Sequence, residues 1–170
     1  MNFTELAKQR FSVRSFKPDA LDEKQLDEIL EAGRLAPTAK NFQPYHIYVI
    51  QSEEARKTIN EITACAYHAP VVLMICADLD QGWVNDCNGH SAAEMDCSIV
   101  TTHMMLKAAE LGVGSCWVCL FDPAKAKSAF HLPDNYEVCC LLPLGYPADN
   151  AAPSERHTLR KSKQEVTTVL

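Results

Sequence analysis

The sequence lacks a hydrophobic run long enough to cross a membrane. Its longest apolar run is Val71–Ala77, whereas a membrane-spanning helix needs about 20 apolar residues. The first residues, MNFTELAKQRFSVRSF, contain no apolar segment after their basic residues, so a signal peptide is not expected. These absences predict a soluble, cytoplasmic protein with no membrane partner.

Nucleotide-binding and hydrolase signatures are also missing. None of the patterns GxGxxG, GxxxxGKS/T, GxSxG and HExxH occurs in the 170 residues. The six histidines are scattered, and no local pattern supports cysteine–histidine catalysis, although the residues leave that chemistry open. The formal net charge of −6 argues against a general nucleic-acid binder.

The charge that is present is unevenly placed along the chain. Residues 1–17 carry a net charge of +3 and residues 151–170 carry +2, so residues 18–150 carry −11. Two basic ends on an acidic chain suggest that the ends meet around a small anion.

The eight cysteines are many for this length, and their role is open between three interpretations. A disulfide framework fits poorly in a chain without a signal peptide. The CxxC at 116–119 lacks a second CxxC or an HxxxH to complete a zinc site, so no metal is expected. A redox dithiol stays open there, and packing as small apolar side chains is favoured for most of them. The eight cysteines are Cys65, Cys76, Cys87, Cys97, Cys116, Cys119, Cys139 and Cys140.

Hydrophobic periodicity and breaker residues predict helices and short strands that are intermixed without a regular βαβ repeat. Asp22 with Gln25, and Ser91 with Glu94, resemble capping boxes at two helix starts. We expect an α+β fold, with a central mixed or antiparallel sheet flanked by helices, and residues 1–170 in one domain. The predicted helices are 21–35, 52–62, 91–111 and 123–130, and the predicted strands are 46–50, 71–77, 115–121 and 138–144.

The helix predicted at 91–111 is apolar on nearly every side. One stripe holds Met95, Ile99, His103 and Leu106, and another holds Cys97, Val100, Met104 and Ala108. Such a helix is normally buried all round. A small domain could bury it only at its centre, so a second copy across a dimer interface is the simpler cover.

Two polar clusters are candidates for a binding site. In an extended RFSVR segment, alternation places Arg10, Ser12 and Arg14 on one side, which suits a phosphate or a planar anionic group. A solvated basic strand end is the alternative. The second cluster is APTAKNFQPY, in which Pro37 and Pro44 frame a polar loop. That loop either holds Asn41 in place for binding or is an ordinary connection.

Four segments, taken in order, resemble the nitroreductase family of FMN-dependent oxidoreductases. They are RFSVRSF, APTAKNFQPYHIYVI, AAELGVGSCWVCLFDP and LPLGYPADNAAPSERHTLRK, and together they span nearly the whole chain. The resemblance implies an α+β homodimer with two FMN sites at the subunit interface, NADH or NADPH as electron donor, and a small-molecule acceptor such as a nitroaromatic compound or a quinone. Because the cofactor carries the chemistry, no catalytic side chain is expected.

The resemblance also implies which residues bind the cofactor. Arg10, Ser12 and Arg14, with the neighbouring Phe11, would contact the FMN phosphate, the ribityl chain and the N1/C2-carbonyl edge. Pro37, Thr38 and Asn41 would come from the partner subunit and pack on the flavin. Arg160 would pair with the phosphate, with Arg156 and Lys161 as helpers. The backbone of Trp117, Val118, Cys119 and Leu120 would lie against the ring near N5.

The sequence departs from the family pattern at several points. Thr38 and Ala39 stand where serines are frequent, and Tyr45 stands where tryptophan is frequent. The segment between Ala77 and Ser91 is short, which implies a more open substrate site. Cys119 beside the flavin is unusual. Reductive dehalogenation, consumption of the flavin itself, and a flavin-binding redox module without turnover are therefore alternative functions.

Overall fold

The structure is a computed structural model that describes residues 2–170, which form six α-helices and four β-strands. The helices are α1 (Phe3–Gln9), α2 (Glu23–Arg34), α3 (Glu53–Ile62), α4 (Ala93–Glu110), α5 (Pro123–Ala129) and α6 (Lys163–Val166). The strands are β1 (Tyr45–Ile50), β2 (Val71–Asp78), β3 (Gly114–Ser115) and β4 (Tyr136–Gly145). Short 3-10 helices lie at Ala39–Asn41, Ala64–Ala66 and Glu155–Thr158.

The strands form one antiparallel sheet in the order β1-β2-β4-β3. This confirms the α+β prediction, and the sheet is antiparallel rather than mixed. Every residue of the central strand β2 is buried, as expected for an apolar strand covered on both faces. Among residues 2–170, no helix has the length and apolar character needed to cross a membrane.

Helices cover both faces of the sheet and create two cores. Leu73 and Ile75 of β2 face α2 and α4, whereas Val72 and Met74 face α3 and α5. The first core contains the buried stripe of α4, which was predicted from its spacing. The members of that stripe are Cys97, Val100, Met104 and Ala108, all without measurable exposure.

The four predicted helices begin close to the expected residues, but neither of the two predicted capping boxes forms. Asp22 caps α2 by accepting hydrogen bonds from the Lys24 and Gln25 amides, but the Gln25 side chain donates to the Leu111 carbonyl instead of closing a capping box. The capping box predicted at Ser91 is wrong. Helix α4 begins at Ala93 with Ala92 as its N-cap, and Ser91 Oγ accepts only a 3.3 Å hydrogen bond from the Ala93 amide.

The strand predicted at 115–121 is wrong in its extent. β3 ends at Ser115, and beyond it only Val118 pairs with β4, through Leu141. Pro143 explains the break, because the Cys116 amide donates to its carbonyl but proline has no N–H to return the bond. After Val118 the chain turns, with the Phe121 amide donating to the Cys119 carbonyl at 3.1 Å.

The two ends of the chain meet beside β3. Ser12 forms a parallel bridge with Ser115, and Phe16 forms an antiparallel bridge with Pro147. The Val13 amide donates to the Ser115 carbonyl at 2.9 Å, and Val13 is buried. Residues 10–17 therefore run between the sheet edge and the segment that leads into the C-terminal residues.

Candidate functional site

A cavity of about 190 Å³ lies where the two basic ends meet. Its walls carry four arginines and no carboxylate, so it is strongly positive and suited to an anion. The sequence suggested that the ends enclose a small anion, and the fold brings them together in this arrangement. The lining residues are Arg10, Phe11, Ser12, Arg14, Ser154, Arg156, His157 and Arg160.

The C-terminal wall of the cavity is a short 3-10 helix tied to the N-terminal segment. The His157 ring nitrogen Nε2 lies 2.9 Å from the Lys8 carbonyl oxygen, and the ring meets Phe11 edge-on at 6.3 Å. The Arg160 guanidinium donates to the His157 and Leu159 carbonyls, both at 2.7 Å. Lys161, also predicted to help with the phosphate, does not line the cavity.

The segment after β3 is anchored in both cores and does not line the arginine cavity. Trp117 is half-buried against the α4 core and Val118 is buried in the opposite core, whereas Cys119 and Leu120 are exposed. The Thr63 hydroxyl donates to the Leu120 carbonyl at 2.7 Å and holds the end of this segment. The predicted residues 117–120 are separated by Cys116 alone from Ser115, the pairing partner of Ser12.

The CxxC at 116–119 places its two thiols in different environments. Cys116 is buried and Cys119 is exposed. Burial raises the pKa of the Cys116 thiol, while the nearby charges of Arg14 and Arg10 act in the opposite direction. All eight cysteines are free thiols. Within residues 2–170, no three histidine, cysteine, aspartate or glutamate side chains are grouped as metal ligands.

The loop with Pro37, Thr38 and Asn41 lies at the other end of α4. Its Ala39 amide donates to Asp96 Oδ1 in the first turns of α4, whereas Ala109 near the end of α4 contributes with Arg10 to a neighbouring pocket. At 1.5 Å per residue, the helix between Asp96 and Ala109 measures about 20 Å. Within one protomer, this loop and the arginine cavity are therefore not brought together.

Two further residues of the arginine cavity were not predicted as site residues. Ser154 and His157 line it, and only their position between the predicted arginines could have indicated them. Tyr67 lies outside the lining of the cavity, and the pKa of its phenol is raised, mainly because of burial. Tyr67 has a φ of 52°, which tertiary contacts impose and a sequence pattern does not reveal.

A buried hydroxyl next to the cavity has no partner. Ser115 Oγ is almost fully buried and makes no hydrogen bond within residues 2–170, and Ser115 is the residue that bridges to Ser12. Buried hydroxyls in proteins are normally hydrogen-bonded. Ser115 lines the neighbouring pocket and not the arginine cavity, so this hydroxyl is assigned no ligand.

Comparison with known proteins assigns the family. The sequence model of the Nitroreductase family matches residues 7–67 and 63–146. A nitroreductase family protein of known structure from Clostridium difficile 630 is 38% identical to the chain. The match covers 99% of this chain and 98% of that one, with a TM-score of 0.93. The chain therefore belongs to the nitroreductase family, as the four sequence segments indicated.

Curated relatives carry names from the same area of redox chemistry. An NADH dehydrogenase of Thermus thermophilus is 29% identical over an alignment of 187 positions, which covers 91% of this chain and 91% of that protein. An FMN reductase [NAD(P)H] of Bacillus subtilis is 26% identical over 163 residues, which cover 85% of this chain and 66% of that protein.

Proposed function

We propose that the chain is an FMN-dependent oxidoreductase that uses NADH or NADPH to reduce a small organic acceptor, and that residues 1–170 form one FMN-binding domain. The arginine cavity carries this proposal, because four guanidinium groups without a carboxylate match a phosphate monoester. The name of the Bacillus subtilis relative, an FMN reductase [NAD(P)H], supports the choice of cofactor.

Different residues of the cavity would contact different parts of the cofactor. Arg160 and Arg156 on the C-terminal wall would hold the phosphate, and Arg10, Phe11 and Ser12 would face the ribityl chain. Arg14 would place a positive charge near N1 and the C2 carbonyl, where it stabilises the anionic reduced ring. Lys161, outside the cavity, would contribute only long-range charge.

No side chain is assigned to proton abstraction or nucleophilic attack. Bound FMN would supply hydride transfer between the nicotinamide and the acceptor, and the protein would bind and orient both. The backbone of residues 117–120 would flank the ring near N5, with Trp117 and Val118 anchored in the two cores. The exposed Cys119 and Leu120 would border an open acceptor site suited to nitroaromatic compounds or quinones.

We further propose that the functional unit is a homodimer. The stripe of α4 that contains Met95 and Ile99 is left uncovered, with Met95 61% and Ile99 37% exposed. Phe42 in the polar loop is also exposed. A second copy would cover these apolar side chains, and it would bring its own Pro37, Thr38 and Asn41 to the arginine cavity of the first copy.

Anaerobic spectroscopy of the purified protein tests the proposed function. We expect the oxidised flavin absorption of the FMN-loaded protein to bleach on addition of NADH or NADPH, and to return when a quinone or a nitroaromatic compound is added. Product analysis after one equivalent of reduction separates nitro or quinone reduction from dehalogenation. A protein that binds no FMN, or that bleaches with neither donor, contradicts the proposal.

A further inference from the structure

The loop Pro37–Gln43 has an unusual backbone. Lys40, Asn41 and Gln43 have φ values of 49°, 56° and 54°, in the left-handed region that side-chain-bearing residues rarely adopt. Asparagine tolerates this region, but lysine and glutamine have no such preference. A loop with three such residues is retained only where the surrounding structure imposes it, and this is common at binding sites.

Two contacts fix the loop to the start of α4. Asp96 Oδ1 accepts a 2.9 Å hydrogen bond from the Ala39 amide. The ammonium group of Lys40 lies 5.6 Å from the centre of the Trp83 ring, and the Trp83 carbonyl accepts from the amide of Ala92, the N-cap of α4. Inside the loop, Thr38 Oγ1 accepts from the Gln43 amide at 3.0 Å.

A buried aspartate at position 96 lowers the stability of the fold, and anchoring the loop alone would not require it. The residue is 2% exposed, and its second carboxylate oxygen, Oδ2, has no hydrogen-bond partner within residues 2–170. A buried carboxylate with an unsatisfied oxygen destabilises a fold. A residue of that kind is expected where function, rather than stability, requires the geometry that it imposes.

We propose that Asp96 is a positioning residue of the cofactor site, which acts through the Ala39 amide to hold the Pro37–Gln43 loop in its left-handed conformation. The inference rests on the proposed function, in which Thr38 and Asn41 of this loop pack on the FMN of the partner subunit. Asp96 does not itself touch the cofactor. It determines whether the loop presents these side chains in a fixed arrangement before FMN arrives.

The test compares Asp96→Ala with Asp96→Asn. Asparagine keeps an oxygen that can accept from the Ala39 amide, whereas alanine removes it. We expect Asp96→Ala to raise the dissociation constant of FMN by roughly tenfold or more, and Asp96→Asn to restore binding to near the wild-type value. Equal FMN binding by Asp96→Ala and the wild type overturns the proposal.

A control on the same helix separates positioning from loss of stability. Thr101→Val removes a fully buried hydroxyl that donates to the Cys97 carbonyl and has no contact with the loop. We expect it to lower the melting temperature and leave FMN binding unchanged. If FMN affinity falls equally in Thr101→Val and Asp96→Ala at matched melting temperatures, Asp96 acts only through stability and the proposal is wrong.

Hydrogen exchange in the cofactor-free protein gives a readout that does not depend on FMN. We expect the Ala39 amide to exchange slowly in the wild type and in Asp96→Asn, and fast in Asp96→Ala. Unchanged exchange in Asp96→Ala contradicts the anchoring step. Failure of the wild type to bind FMN would instead contradict the proposed function, while the exchange experiment would still decide whether Asp96 holds the loop.

Discussion

Two of the four arginine side chains of the proposed phosphate site, those of Arg14 and Arg160, are held by backbone carbonyls. Arg160 donates to two carbonyl oxygens, and Arg14 donates to the Ser12 carbonyl at 3.2 Å. Carbonyl partners orient a guanidinium without neutralising its charge, so the positive charge stays available for a ligand. The folded protein without ligand keeps like charges close together, and a bound dianion would relieve their repulsion.

Removal of one cavity arginine should weaken FMN binding. We expect Arg10→Ala and Arg160→Ala each to cost about 1.5–3 kcal/mol of binding free energy, because each removes a charge-assisted hydrogen bond. Fluorescence titration of the cofactor-free protein with FMN measures the effect. Lys57→Ala, which removes an exposed charge on α3, should bind like the wild type, and full flavin retention by both arginine variants would refute the phosphate assignment.

Buried thiols should make the protein less stable at alkaline pH. Burial raises the pKa of Cys76 and of Cys140 to about 12, from an ordinary value of 9.0. Between pH 9 and 12 the unfolded chain releases these protons and the folded chain does not. The free energy of unfolding therefore falls as pH rises, by at most about 4 kcal/mol per thiol at pH 12.

Urea unfolding from pH 8 to pH 11 measures this dependence. The double variant Cys76→Ala and Cys140→Ala should show a shallower fall of unfolding free energy with pH than the wild type. A residual slope is expected, because burial also raises the pKa of Tyr45 and Tyr48. Cys87→Ala, at an exposed position, serves as the control and should show the same fall of unfolding free energy with pH as the wild type. If the double variant also shows that same fall, the buried thiols are not its cause.

At the scale of elements, local patterns predicted what local chemistry decides. The spacing of Cys97 and Val100 predicted the buried face of α4, and the apolar run of β2 predicted a strand buried on both faces. The extent of β3 depends on Pro143 in a strand that lies far away in sequence. The Asp96 contact with Ala39 is equally non-local, so neither could be predicted from its own segment.

In the candidate site, too, features that depend on contacts between distant segments were not predicted. The family resemblance of the four sequence segments indicated the arginines that line the cavity, and their contact with a cofactor stays a prediction. His157 was missed as a site residue because its place depends on a contact with the Lys8 carbonyl. The left-handed φ of Tyr67 was missed because no glycine marks it.

Charge on the uncovered face of α4 should disrupt the dimer. Ile99→Glu places a carboxylate in the stripe that we propose to be covered by the second copy, and burial of an unpaired charge is strongly unfavourable. We expect monomers in sedimentation velocity and weaker FMN binding. Val49→Glu on β1 is the matched control, since Val49 is also 37% exposed and no interface is proposed there. A dimeric Ile99→Glu protein would exclude this face as the interface.

At the scale of the whole molecule, the two parts of the proposed cofactor site lie at opposite ends of α4 in one chain. The arginine cavity lies beside β3 near the end of the helix, and the Pro37–Gln43 loop is anchored at its beginning. The proposed two-fold symmetric dimer, with α4 at its interface, would pair each cavity with the loop of the other copy and would give two identical sites. The unequal charge along the chain has the same basis, because both basic ends contribute to one of these two parts.

Complementation between variants tests whether each site is shared. One variant carries Arg10→Ala, and the other replaces Pro37, Thr38 and Asn41 with alanine. Each homodimer alone should hold little FMN. In randomly mixed dimers, each heterodimer has one site with both defects and one with neither, so about one quarter of all sites should bind FMN like the wild type. Co-expression and purification of all dimers together, followed by flavin quantification after dialysis, gives this fraction; heterodimers isolated through two affinity tags should instead retain FMN in about one half of their sites. Mixing Arg10→Ala with Arg160→Ala is the matched control. Both residues belong to the same part of the site, so every site keeps one defect and no recovery is expected. Recovery in neither mixture would mean that cavity and loop belong to the same protomer, which would contradict the shared site.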